Sequence, residues 1–160
     1  MLRRPLLIGG ALLPWIAAAT GAEPLLPEAD DLRALGARSV RFEAPVVLLF
    51  STTGCHFCSE VRRNYLAPRW AEERRRPVPK WLFADIDIAS TRPLIDFEER
   101  STTQAAYASR IGIGIVPVVL VVDARGRPLA EPLVGLDSAG FYDGLLQSRL
   151  DAARRQIARR

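Results

Sequence analysis

The run Val46-Val47-Leu48-Leu49-Phe50 is apolar at every position and gives way to the polar turn Ser51-Thr52-Thr53-Gly54. An unbroken apolar stretch between turn signals describes a strand covered on both faces, since a strand with one wet face would alternate. Such strands belong to α/β sheets with helices above and below. A second run of this kind, Val118-Val119-Leu120-Val121-Val122, follows Pro117, and Trp81 to Ile88 reads as a further strand with alternation at its end. The fold class is therefore α/β, with a central mixed sheet of four or five strands flanked by helices.

The helices are placed by spacing and punctuation. Glu28 to Arg38 reads as a short helix with Leu32 and Leu35 on one side. A helix opening at Cys55 carries Val61, Tyr65 and Leu66 at helical spacing, and Pro68 should kink or end it before Trp70. With the strands before and after it, this helix forms a right-handed parallel unit. Residues 89–102 suit a small hairpin or a surface loop, and Ser101-x-x-Gln104 has the pattern of a capping box for a helix through Tyr107 and Ile111. The turn Asp123 to Arg127 should return Leu129 to Val134 as an antiparallel partner of the 118–122 strand. Ser138 can cap a last helix that packs Phe141, Leu145, Leu146 and Leu150 against the sheet and ends in arginines.

Only two cysteines are present, in Cys55-His56-Phe57-Cys58, directly after the first strand and its turn. That spacing can hold a reversible disulfide. At the first turn of a helix, unpaired backbone N–H groups favour negative charge, so a thiol there gives up its proton more easily and becomes the attacking thiolate. Cys55 is the candidate nucleophile and Cys58 its resolving partner. His56, the one histidine, could stabilise the Cys55 thiolate as an imidazolium, or it could be a solvent-facing spacer. Phe57 beside an exposed thiol suits docking of flexible partners, or it merely covers apolar surface. A static structural disulfide would gain little loop entropy from so tight a ring. The same spacing also builds half of many zinc sites and could bind Cu(I) in a metal-carrying module, although no second ligand cluster is present and Met1 is the only methionine.

Residues 1–22 have the build of a secretory signal peptide: Arg3 and Arg4, an apolar stretch interrupted by Gly9, Gly10 and Pro14, then the small residues Thr20-Gly21-Ala22. Its removal leaves residues 23–160 as one domain with a basic end to its C-terminal helix. The chain carries 22 basic and 18 acidic residues, a net charge of +4 that halves without Arg3 and Arg4. So mild a charge, with no aromatics interleaved among Arg74-Arg75-Arg76 or the C-terminal arginines, excludes nucleic acid as the expected partner.

Three motifs in order then carry a resemblance to the thioredoxin superfamily, in an exported, periplasmic branch: the strand into Cys55-x-x-Cys58, Ile113-Gly114-Ile115-Val116-Pro117 before an apolar strand, and a hairpin ending in Val134-Gly135. The resemblance covers residues 28–153 and implies a thioredoxin-like fold and a thiol:disulfide oxidoreductase. By it, Pro117 is a cis proline facing the cysteine pair, and Val116 lends backbone hydrogen bonds to an extended substrate segment. It implies no metal, flavin or nucleotide cofactor, a monomer, client proteins with cysteines, and a membrane electron donor or oxidant as redox partner. Reduction of clients is the favoured direction, with introduction of disulfides the alternative. The chain departs from the cytosolic pattern in having Gly54 before the first cysteine, His56-Phe57 between the pair, and Leu49 where many relatives carry a buried acid. A longer segment within 90–103 also separates the halves of the motif set.

Overall fold

In chain order the strands are β1 (Val46–Ser51), β2 (Leu82–Asp87), β3 (Pro93–Ile95), β4 (Ser101–Thr103), β5 (Val118–Val122) and β6 (Leu133–Val134). The computed structural model describes residues 26–137 and 139–159, and in it β1 and β5 are buried throughout. The side chains of β1 alternate between two cores: Val46, Leu48 and Phe50 enter one, Val47 and Leu49 the other. The main sheet has the order β2-β1-β5-β6, with β2 parallel to β1 from Val46↔Leu82 to Ser51↔Asp87. β5 runs antiparallel to β1, from Val46↔Val122 to Phe50↔Val118, so Pro117 lies at the end of the sheet where β1 delivers the cysteine loop.

The helices are α1 (Leu32–Phe42), α2 (His56–Glu60), α3 (Ala67–Glu73), α4 (Gln104–Arg110) and α5 (Tyr142–Ile157), with a π-helical segment over Val61–Leu66. Leu32 and Leu35 of α1 and Tyr107 and Ala108 of α4 fill one face of the sheet. Val61, Leu66, Tyr142, Leu146, Leu150 and Ala153 fill the other. Each fully buried leucine contributes about 2 kcal/mol by transfer from water. No helix of the described residues is long and apolar enough to cross a membrane.

Several expectations are corrected. The first helix starts at Leu32 rather than Glu28, because Pro27 to Ala29 instead runs along β2: Asp85 N–H donates to Pro27 O and Ala29 N–H to Asp85 O, both at 2.8 Å. Asp31 then caps α1 by accepting from Ala34 N–H at 2.7 Å. Pro68 neither ends nor breaks the helical run. The wider π turns before it place Pro68 in the first turn of α3, where a missing N–H and a bulky ring are tolerated. Ser101 belongs to β4, and Thr103 caps α4 through Ala106 N–H at 3.2 Å. Gln104 is freed from any capping role. It is buried, its Oε1 accepts from Asp87 N–H at 2.7 Å, and its Nε2 donates to Ala29 O at 2.9 Å.

Residues 93–103 form the hairpin β3-β4 as a separate two-stranded sheet. The return strand is shorter than 129–134: only Leu133 and Val134 pair with β5, and Pro128 touches Val122 in a single bridge. Pro128 and Pro132 carry no N–H for a ladder, which limits the pairing. On the last helix Leu146 and Leu150 are buried as expected, whereas Leu145 is exposed on the solvent side and Phe141, 69% exposed, lies before the helix rather than on its packed face. The cap placed at Ser138 and the signal peptide placed at 1–22 both lie outside the described residues.

Candidate active site

β1 ends at Ser51, and the chain turns through Thr52-Thr53-Gly54 into Cys55, the N-cap of α2. Gly54 has φ +80°, a left-handed conformation that a side chain would strain, and nothing stands within 4 Å of where its Cβ would be. Asp87, at the end of β2, holds this loop from the neighbouring strand. Burial pulls its carboxyl up, but Ala89 N–H and the hydroxyls of Thr52 and Thr53 outweigh that and leave it below the ordinary carboxylate value. Thr53 Oγ1 donates to Asp87 Oδ2 at 3.2 Å.

Cys55 and Cys58 are joined in a disulfide with their Cα atoms 5.3 Å apart. Cys58 is fully buried and Cys55 is half-buried, so only one sulfur of the pair is presented outward. Cys58 N–H donates to Cys55 Sγ at 3.1 Å, and Ser59 N–H donates to Cys55 O at 3.1 Å. The cap position therefore directs a helix-end N–H at the outer sulfur. His56 is exposed, with Nε2 3.0 Å from Glu60 Oε1 one turn along the helix, and its ring meets Phe57 edge-on at 5.8 Å. Phe57 is 58% exposed.

The Val116–Pro117 peptide bond is cis. Pro117 is buried one residue before β5, and Gly135 N–H, just after β6, donates to Pro117 O at 2.8 Å. The sheet thus brings the cis bond and the end of β6 to the edge where β1 leads into Cys55. Among the described residues no protein group hydrogen-bonds the backbone of Val116. Ile115 and Val134 are exposed beside it, at 64% and 60%.

The chain is similar to a solved structure of thioredoxin f from spinach chloroplast, at 19% identity over 82% of this chain and 98% of that one, with a TM-score of 0.51. The chain has a thioredoxin fold. Solved structures of the oxidised C-terminal domain of DsbD from Neisseria meningitidis (21% identity, 76% and 98% covered, TM-score 0.45) and of a mutant thioredoxin from Halobacterium salinarum (21%, 80% and 91%, 0.43) are also similar to it. No family model matches the chain, and no curated protein matches it in sequence.

In this thioredoxin fold Leu49 is the apolar residue that the sequence places where many relatives carry an acid. Leu49 is buried in the core, and its register partner on β2 is Asp85. Asp85 Oδ2 accepts from Arg62 Nε at 2.6 Å, Asp85 Oδ1 accepts from Ser51 Oγ at 2.7 Å, and Arg62 Nη2 reaches Ser51 Oγ at 2.8 Å. Arg62 stands one helical turn after Cys58, so a nearly buried ion pair lies beneath the redox helix. No motif or spacing in the sequence marks this group, because Ser51, Arg62 and Asp85 come together only through the parallel pairing of β1 with β2. Among the described residues, no cluster of three or more His, Cys, Asp or Glu side chains is arranged to hold a metal ion.

Proposed function

We propose that the chain is a thiol:disulfide oxidoreductase that exchanges the Cys55–Cys58 disulfide with client proteins, working in an exported compartment as a reductase. The observation that carries this is the asymmetry of the disulfide: an outward sulfur at a helix cap and an inward sulfur sealed in the core. In the reduced protein the Cys55 thiolate attacks one sulfur of a client disulfide, forming the Cys55–client bond and expelling the client's other sulfur as a thiolate. Cys58, after losing its proton, attacks Cys55 Sγ, restoring the intramolecular disulfide and releasing the second client thiol. Two electrons pass to the client, and an external dithiol donor at the membrane restores the pair.

The remaining site residues take supporting roles in this scheme. The unpaired Val116 backbone offers hydrogen bonds to an extended client segment beside cis-Pro117, and Phe57 gives that segment apolar contact. His56 tunes the charge near Cys55 from a solvent-facing position shared with Glu60. Reduction is supported over disulfide donation by the modest connection between β2 and β5, a hairpin and one short helix rather than a large helical insertion. Export is supported by the composition of residues 1–22.

A Cys58→Ser variant tests the scheme directly. It is expected to accumulate mixed disulfides through Cys55 with cysteine-bearing clients and to lose insulin-reducing turnover, while Cys55→Ser traps nothing. Equal trapping by both variants, or turnover without Cys55, would contradict it.

A further inference from the structure

We propose that the end of the molecule opposite the disulfide docks on an anionic lipid bilayer. At that end β1 and β2 begin, β5 ends, and α1, α3 and α5 all terminate, about 20 Å along β1 from the cysteine loop. The turn after β5 belongs there too, since a Cβ on Gly36 of α1 would stand 2.3 Å from Ala124 O.

Most of the arginines at this pole lack an ion-pair partner, although Arg76 pairs with Glu72 and Glu73 and Arg127 with Asp123. On the rest of the surface arginines find carboxylates: Arg33 with Asp31, Arg69 with Asp143, Arg92 with Glu28, Arg149 with Glu131. At the pole Arg38 and Arg41 of α1 and Arg74 and Arg75 after α3 are exposed and have no carboxylate within 4.0 Å. Arg125 in the turn after β5 and Arg154 and Arg155 at the end of α5 are in the same condition. Among the described residues, the basic side chain away from this pole that lacks such a partner is Arg63.

The cations sit among apolar groups. Arg74 stacks over Trp70 at 5.2 Å, Arg154 over Trp81 at 5.6 Å and Arg41 over Phe42 at 5.2 Å. Val40 and Val78 project bare, 69% and 62% exposed. Helix dipoles account for Arg41, Arg154 and Arg155 in last turns, but not for Arg125 in a turn or for the two valines. Unpaired cations with arginine-clad aromatics and isolated exposed apolar side chains match a headgroup layer, which offers diffuse negative charge over an apolar interior. Nucleic acid fits less well, because the aromatic faces that would stack on bases are covered by the chain's own guanidinium groups and Trp81 is buried. Docked this way, the disulfide faces away from the bilayer.

The test is co-sedimentation of the exported protein, residues 23–160, with phosphatidylcholine vesicles, with and without phosphatidylglycerol. Binding is expected only with the anionic lipid, and it should be lost near 1 M salt, where screening shortens to about 3 Å. An Arg38→Gln/Arg75→Gln/Arg125→Gln variant should bind at least about tenfold more weakly, since each basic side chain at such a surface is worth roughly fivefold. Arg63→Gln should bind as the parent does, and thermal melting confirms that both variants are folded. Equal binding to neutral vesicles, an unaffected triple variant, or retention of a DNA duplex without vesicle binding would each overturn the proposal.

Discussion

Arg62 and Asp85 have side chains only 16% and 13% exposed, so removing either one strands a charge with little water to solvate it. Arg62→Leu should cost about 3 kcal/mol in urea unfolding, and Arg62→Leu with Asp85→Leu should cost less than that single change. A double variant that costs as much as the two single changes added together would refute the coupling. Asp96 gives a pH-dependent counterpart. Burial raises its carboxyl, but the Arg100 guanidinium and the N–H groups of Arg100 and Glu98 outweigh burial and hold it below the usual value. A depressed carboxylate adds stability that is present above its unfolded pKa, about 3.9, and is lost as pH falls through the folded value. Asp96→Asn should therefore lower the melting temperature at neutral pH, and its gap from the parent should close below about pH 4. A constant gap would contradict this origin. At this scale the cysteines were legible from their spacing, and Val116 and Pro117 from the motif that carries the family resemblance. The Arg62–Asp85–Ser51 group was not, since those residues meet only when β2 is laid parallel to β1.

Close approach between elements leaves its mark at glycines. Gly36 lets α1 lie against the turn after β5, and the atom its Cβ would strike is the backbone oxygen of Ala124. Gly36→Ala should destabilise by about 2 kcal/mol as the helix is pushed off. Gly144, inside α5 with nothing within 4 Å, should instead gain up to about 1 kcal/mol on replacement by alanine. Paired thermal or denaturant melts decide this, and the same sign for both would refute the packing account. Buried strands were the elements most readable in the chain, because Val46–Phe50 and Val118–Val122 have no polar alternative. Boundaries set by tertiary contacts were not readable. Glu28 to Asp30 could continue a helix as well as pair with β2, and Pro68 is a breaker only if the turns before it stay α-helical. Ser101 carries a capping side chain, but the β3–β4 hairpin extends through Thr103, so the helix starts two residues later than that pattern places it and Thr103 takes the cap.

Over the whole molecule, β1 and β5 separate two functional ends. One gathers Cys55, Cys58 and the cis Val116–Pro117 bond, and the other gathers unpaired arginines. The order of strand, cysteine pair, proline and hairpin made the α/β architecture legible, whereas the polar asymmetry was hidden because helix C-termini distant in sequence converge only in the fold. The function of the first end rests on the Cys55–Cys58 pair exchanging electrons reversibly with thiols. Its most direct test is the equilibrium reduction potential of the pair, titrated against defined thiol buffers. A reversible two-electron couple near about −270 mV is the predicted result, as a client reductase requires; a value near about −120 mV would reverse the direction of transfer, and the absence of any reversible couple would contradict the redox function itself.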